Sequence, residues 1–301
     1  MTREDIEFRG EGDVTLRGWF YPAQDAAGQA PVVVMAHGLS AVKEMYLDDY
    51  AAFFAEGGLN VVLYDNRNFG ASDGWPRQEI DPVLQYRDYR NAITFACTRS
   101  EVDSAKIGIW GSSFSGGHVL TVASIDKRVK AAVAQVPFIS GPRNVPLMLR
   151  PDVIPHVREV LDGDRANRFA GGDPATMPVV APDPTAQAFL PSTDSYEWFT
   201  KTSAERAPNW KNEVTVRSLE SLWEYDPSTY VSRIAPTPLL MIVAREDVVA
   251  PFELALEAYE QARQPKKLTI IPGGHFDAYI GETFTVTATA AREHFLEHLS
   301  V

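Results

Sequence analysis

Six short, mostly apolar runs recur along the chain, at residues 32–36, 61–64, 106–110, 131–136, 238–243 and 268–271. None shows the in–out alternation of a strand with one wet face. Strands this apolar are stable only where both faces are covered. Helical patterns separate them. One spans 43–56 and stops at Gly57-Gly58, and one opens at Pro82 and runs to 98. Others cover 114–124, 251–263 and 282–299, the last with Ala290, Phe295 and Leu299 on one face. Buried strands alternating with helices specify an α/β fold with a mostly parallel, doubly wound sheet. Right-handed crossovers then gather the functional loops at the C-terminal edge of the strands.

Two segments stand outside this alternation. Ile6 and Phe8, then Val14, Leu16, Trp19 and Tyr21, flank Gly10-Glu11-Gly12-Asp13 and read as an antiparallel hairpin. From Pro137 to about Ile234 the chain is rich in Pro, Asp and aromatic residues. We expect residues 1–137 and 235–301 to form the core, and 138–234 a mainly helical inserted lid. Within it Trp198, Trp210 and Trp223, with Phe138 at its start, are the candidate substrate-lining residues. Ordinary packing of these aromatics onto the core is the competing explanation for any one of them.

Composition narrows the classes of partner. The 40 acidic residues exceed the 28 basic ones, for a net charge of −12, so phosphate backbones and anionic membrane surfaces are repelled. We expect neither a nucleic-acid nor a membrane partner. The single cysteine, Cys97, forms no intrachain disulfide, and its helical setting is that of a small core residue. No apolar signal segment follows the polar start, and no apolar run approaches the length of a membrane span, so a cytoplasmic location is expected. A homodimer is compatible with the sequence.

The segment Gly111-Ser112-Ser113-Phe114-Ser115-Gly116-Gly117 follows a buried strand and opens a helix. A strand-to-helix turn this sharp exposes the side chain at its apex, and small residues two before and two after avoid a clash. Ser113 as apex has Gly111 and Ser115 at those positions. Ser112 as apex places Trp110 at minus two, which does not fit. A serine nucleophile needs a base, and the base an orienting carboxylate. His275 stands just beyond the last apolar run, on the loop edge that carries Ser113. Asp247 follows the run before it, with Glu246 as its local rival and a helix cap as its alternative role. The order Ser113, Asp247, His275 brings one residue from each of three loops at a single sheet edge. Two backbone N–H groups must then meet the oxyanion. We expect those of Phe114 and of Leu39, in His37-Gly38-Leu39-Ser40, with His37 supporting that loop.

The chain resembles the α/β-hydrolase superfamily over nearly its whole length. The resemblance rests on His37-Gly38, on Asp65-Asn66-Arg67-Asn68-Phe69-Gly70-Ala71-Ser72-Asp73-Gly74 and on the Ser113 segment. It is similar to a branch that spans dienelactone-hydrolase-like proteins, X-Pro dipeptidyl-peptidase-like esterases and fungal polyketide-processing hydrolases and acyltransferases. The resemblance implies an eight-stranded sheet with strand two antiparallel, no metal or organic cofactor, and Ser113, Asp247 and His275 as catalytic triad. It implies hydrolysis of a small-molecule carboxylic ester or thioester with a medium, apolar or aromatic acyl group. Acyl transfer to an alcohol or amine, and amide or peptide cleavage, are the alternatives. Two positions depart from the pattern: Asn68 stands where that branch has glycine, and Ser115 where the elbow usually has glycine.

Overall fold

The computed structural model describes residues 3–183 and 185–300. β1 (Glu4–Arg9) and β2 (Thr15–Tyr21) form the antiparallel hairpin, turning through a 3-10 segment at Glu11–Asp13. The alternation follows as β3 (Ala30–Ala36), α1 (Leu47–Glu56), β4 (Asn60–Tyr64), α2 (Pro82–Ala96), β5 (Val102–Ser112), α3 (Phe114–Ile125) and β6 (Val129–Gln135). An insertion carries α4 (Gly141–Met148), α5 (Ile154–Phe169), β7 (Thr176–Met177), α6 (Thr193–Glu205), β8 (Val214–Thr215) and α7 (Val216–Glu224). A 3-10 segment at Pro227–Arg233 leads back to β9 (Leu239–Ala244), α8 (Phe252–Gln261), β10 (Lys266–Ile271) and α9 (Gly281–Leu299).

Eight strands form one sheet in the order β1-β2-β4-β3-β5-β6-β9-β10, and β2 alone runs against its neighbours. Five of the six apolar runs are explained by what covers them; the sixth, in β10, lies at the edge of the sheet, where Ile270 is exposed, so it is apolar without being covered on both faces. Val32 and Val34 of β3 face one helical layer, with Tyr89 and Ile93 of α2, Val119 of α3 and Leu254 of α8. Val33 and Met35 face the other, with Tyr50 and Phe54 of α1 and Phe295 of α9. Side chains alternate across a strand, so a strand covered on both faces must be apolar at every position.

One expected boundary is corrected. Helix α1 starts at Leu47, not at residue 43. The Lys43 N–H donates to Asp65 Oδ1 at 2.8 Å, and Tyr46 takes a left-handed φ of 66°, so the preceding turn is drawn away from helical geometry. The insertion is mainly helical, with a short antiparallel β7–β8 pair. Its neck is closed by two backbone hydrogen bonds, from Gly141 N–H to Tyr225 O at 2.7 Å and from Ser228 N–H to Ile139 O at 2.9 Å. A third apolar cluster joins Leu39 and Met45 of the sheet-edge loops and Phe114 at the start of α3 to Phe189, Leu190, Phe199 and Leu222 of the insertion. Arg206 also ties it to Asp48 and Asp49 in the first turn of α1. No helix among the described residues is long and apolar enough to cross a membrane.

Candidate active site

Ser113 joins the end of β5 to the start of α3 with φ 57° and ψ −120°. A non-glycine residue holds such a conformation only where its surroundings over-determine it. Here the Ser113 N–H donates to Gln135 O of β6 at 2.8 Å, and the Ser113 carbonyl accepts from Phe138 N–H at 2.9 Å. The turn needs glycine at 111, where a Cβ would overlap the Ser115 backbone carbonyl. It also needs glycine at 38, where a Cβ would stand 2.9 Å from that of Ser113.

The structure brings the three separated residues together. His275, in the 3-10 turn His275–Tyr279 after β10, has Nε2 2.9 Å from Ser113 Oγ. Its Nδ1 lies 2.7 Å from Asp247 Oδ2, beyond β9. Asp247 Oδ1 accepts from the N–H groups of Val249 and Ala250 at 2.9 and 2.7 Å. Both carboxylate oxygens are thus engaged: one fixes the local turn, the other the imidazole. The neighbouring Glu246 is exposed. Asp277 caps the His275 turn, accepting from Gly274 N–H at 2.7 Å. With Nδ1–H donating to Asp247, Nε2 is left as an acceptor facing the Ser113 hydroxyl.

The Leu39 loop is held from below. His37 Nδ1–H donates to Gly38 O at 2.8 Å, and its Nε2 accepts from Asn66 N–H at 3.0 Å. Burial holds the His37 pKa below its ordinary value, which suits these neutral-ring roles. The His37 carbonyl accepts from Ser115 Oγ at 2.5 Å and from Asn66 Nδ2 at 3.1 Å. Asp65 accepts from the Lys43 and Ala71 N–H groups and pairs with Lys43 Nζ at 2.8 Å. Arg67 pairs with the buried Asp88. Among the described residues, neither the Leu39 nor the Phe114 N–H has an acceptor. Unpaired donors beside a serine are the features that stabilise an oxyanion.

Two narrow cavities, each of about 20 Å³, open at Ser113. One is walled by His275, Phe276, Trp198, Phe199 and Tyr279. The other is walled by Leu39, Phe114, Phe138, Met148 and Leu190. Trp198 and Phe138 therefore lie beside Ser113. Trp210 lies behind, stacked 5.2 Å from Phe199, with its indole N–H bonded to Ser40 O. Trp223 is partly buried against the third apolar cluster and lines neither cavity. Sequence reasoning passed over Phe276, stacked on Trp198 at 4.7 Å, and Met148, which carried no signal in the one-dimensional pattern. Among the described residues, no group of three or more His, Cys, Asp or Glu is arranged to hold a metal ion.

Residues 31–282 match the family model described as alpha/beta hydrolase fold. A thiohydrolase from Eupenicillium brefeldianum is 30% identical over 290 residues, covering 95% of this chain and 91% of that protein. A polyketide transferase, GrgF, from a Penicillium species is 32% identical over 294 residues, covering 95% and 94%. The crystal structure of the alpha/beta hydrolase GrgF from Penicillium sp. sh18 superposes with a TM-score of 0.86 at 30% identity, over all of both chains. Sheet order, elbow and family match agree, and the chain belongs to the alpha/beta-hydrolase fold family.

Proposed function

We propose that this protein is a serine hydrolase that cleaves a carboxylic ester or thioester through an acyl-enzyme on Ser113. The observation that carries the proposal is the continuous hydrogen-bonded line from Ser113 Oγ through His275 to Asp247, at 2.9 and 2.7 Å. In the first half-reaction His275 Nε2 takes the hydroxyl proton as Ser113 Oγ attacks the carbonyl carbon. Asp247 holds the tautomer and stabilises the imidazolium. The Leu39 and Phe114 N–H groups receive the developing oxyanion. His275 then protonates the leaving oxygen or sulfur as its bond to the acyl carbon breaks. Water, deprotonated by the same imidazole, releases the acid. Residues 138–234 act as a lid that shapes the site, a role supported by the apolar cluster they share with Leu39 and Phe114.

Acyl transfer to an alcohol or amine is the second reading, favoured by the polyketide transferase among the relatives. The two share the acyl-enzyme and differ in what attacks it. The test is hydrolysis of p-nitrophenyl esters from acetyl to long acyl, with and without added alcohol or amine. Ser113→Ala is expected to lower turnover by about 10⁴-fold or more. Wild-type turnover from Ser113→Ala would overturn the proposal. Ester or amide product in place of acid, with the added acceptor, would select the transferase.

A further inference from the structure

We propose that a cavity inside the insertion, between α5 and α7, receives the distal part of the substrate's acyl chain, and that Met148 governs passage into it. The inference rests on the acyl-enzyme reading above and assigns the acyl chain a place.

His275 must hand its proton to the departing atom, so the leaving group lies where the imidazole forms the wall. Only one of the two cavities at Ser113 has His275 in its wall. Leu39 walls both cavities, but only the other also has Phe114, the second N–H donor to the carbonyl oxygen, and it has no imidazole. With the oxygen toward those donors and the leaving atom toward His275, the acyl chain enters the second cavity.

That second cavity holds about 20 Å³, room for little more than one water-sized group. A longer chain must continue, and Met148 lies in the wall where it would do so. Met148 also walls a cavity of about 130 Å³ inside the insertion, lined by Val157 of α5, Phe189, and Leu219 of α7. The cavity opens to solvent on the side where Arg150, His156, Val160, Thr185, Ala186 and Gln187 are exposed. Its buried wall, Ala188, Phe189, Val216 and Leu219, is apolar. A surface groove with exposed Leu147 and Val248 shares Met148, Leu190 and Val249 with these spaces and supplies the mouth. Met148 is thus the residue common to the reactive serine's pocket, the mouth and the inner cavity. It is the last residue of α4, followed by the extended Leu149. An unbranched thioether there can swing aside more readily than a β-branched side chain.

The test uses p-nitrophenyl alkylphosphonates from methyl to decyl. Ser113 Oγ bonds to phosphorus, the bond to p-nitrophenolate breaks, and the released phenolate is counted. Mass spectrometry locates the adduct, and no later hydrolysis or transfer is needed. The readout is the ratio of long-chain to methyl labelling rates within one preparation, which does not depend on the fraction folded. Met148→Ala is expected to raise that ratio, and Leu219→Trp, which fills the inner cavity, to lower it, each by about tenfold, the effect of one or two methylenes in an apolar pocket. Val157→Phe, a smaller filling from the opposite helix, is expected to lower it too. An unchanged ratio in both filling variants, as when the chain lies along the surface groove instead, overturns this inference and leaves the Ser113 reading standing. No adduct on Ser113 with any member of the series overturns both.

Discussion

Ser115 replaces an elbow glycine, and its hydroxyl reaches 78 positions back along the chain to the His37 carbonyl. It ties α3, which presents Ser113, to the loop that presents Leu39. We expect Ser115→Ala to lower kcat by roughly tenfold with little change in KM, a partial version of losing one oxyanion donor. Steady-state kinetics on a short ester measures it, and a fall confined to KM would contradict it. Asn68 has a comparable explanation. Its φ is 72°, a region that asparagine enters more readily than most side chains, and its amide donates to Glu79 O at 2.8 Å. Both departures were visible in the sequence, but their reasons were not, because the partners are other segments' carbonyls. Ser113, Asp247 and His275 were legible because each sits in a loop punctuated by glycine or proline next to an unmistakable strand. Trp210 and Trp223 show the opposite. Aromatic richness marks a core and does not say which aromatics face Ser113.

The central runs of β3, β4, β5, β6 and β9 were legible because burial on both faces leaves no polar position, whereas β10 was legible from its apolar residues although Ile270 is exposed at the sheet edge. Ends were less so, because a side chain from another segment can take the N–H that a helix would use, as Asp65 does with Lys43. The same dependence on distant partners governs the pair between the loop after β4 and α2. Arg67 meets Asp88 through two nitrogens at 2.5 and 2.7 Å, and also donates to Glu11 O. Removing the guanidinium leaves a buried carboxylate uncompensated. Arg67→Ala is expected to cost about 3–5 kcal/mol in urea unfolding, and Arg67→Met with Asp88→Leu to recover most of it. A double variant no more stable than the single would argue against this. The inner cavity of the insertion was not legible at all. Its walls belong to α5, α7 and the segment near Phe189, and no periodicity within one element encodes a space between three.

Beneath the elbow, the buried His118 donates from Nε2–H to Gln85 Oε1 at 3.0 Å and accepts at Nδ1 from Tyr225 OH at 2.9 Å. Burial lowers its pKa to about 3, and burial with the neighbouring His298 lowers that of His294 to about 4. Well above pH 6.5 both are neutral whether folded or unfolded, and neither makes the stability depend on pH. Below pH 6.5 the unfolded chain takes up protons that the folded chain refuses. Each histidine then removes up to about 1.4 kcal/mol per pH unit until its folded pKa is reached. The difference in unfolding free energy between the wild type and His118→Gln is therefore expected to shrink as pH falls from 6.5 toward 4. A constant difference would show that His118 takes no part. The two hydrogen bonds at the neck of the insertion bear on a different matter, descent. They close residues 142–224 into a loop whose ends are fixed independently of its contents. Doubling such a loop costs only about 0.6 kcal/mol in closure entropy. Lineages can thus exchange or lengthen this cassette while the strand register and the Ser113 turn are inherited unchanged, so substrate preference can diversify faster than the chemistry.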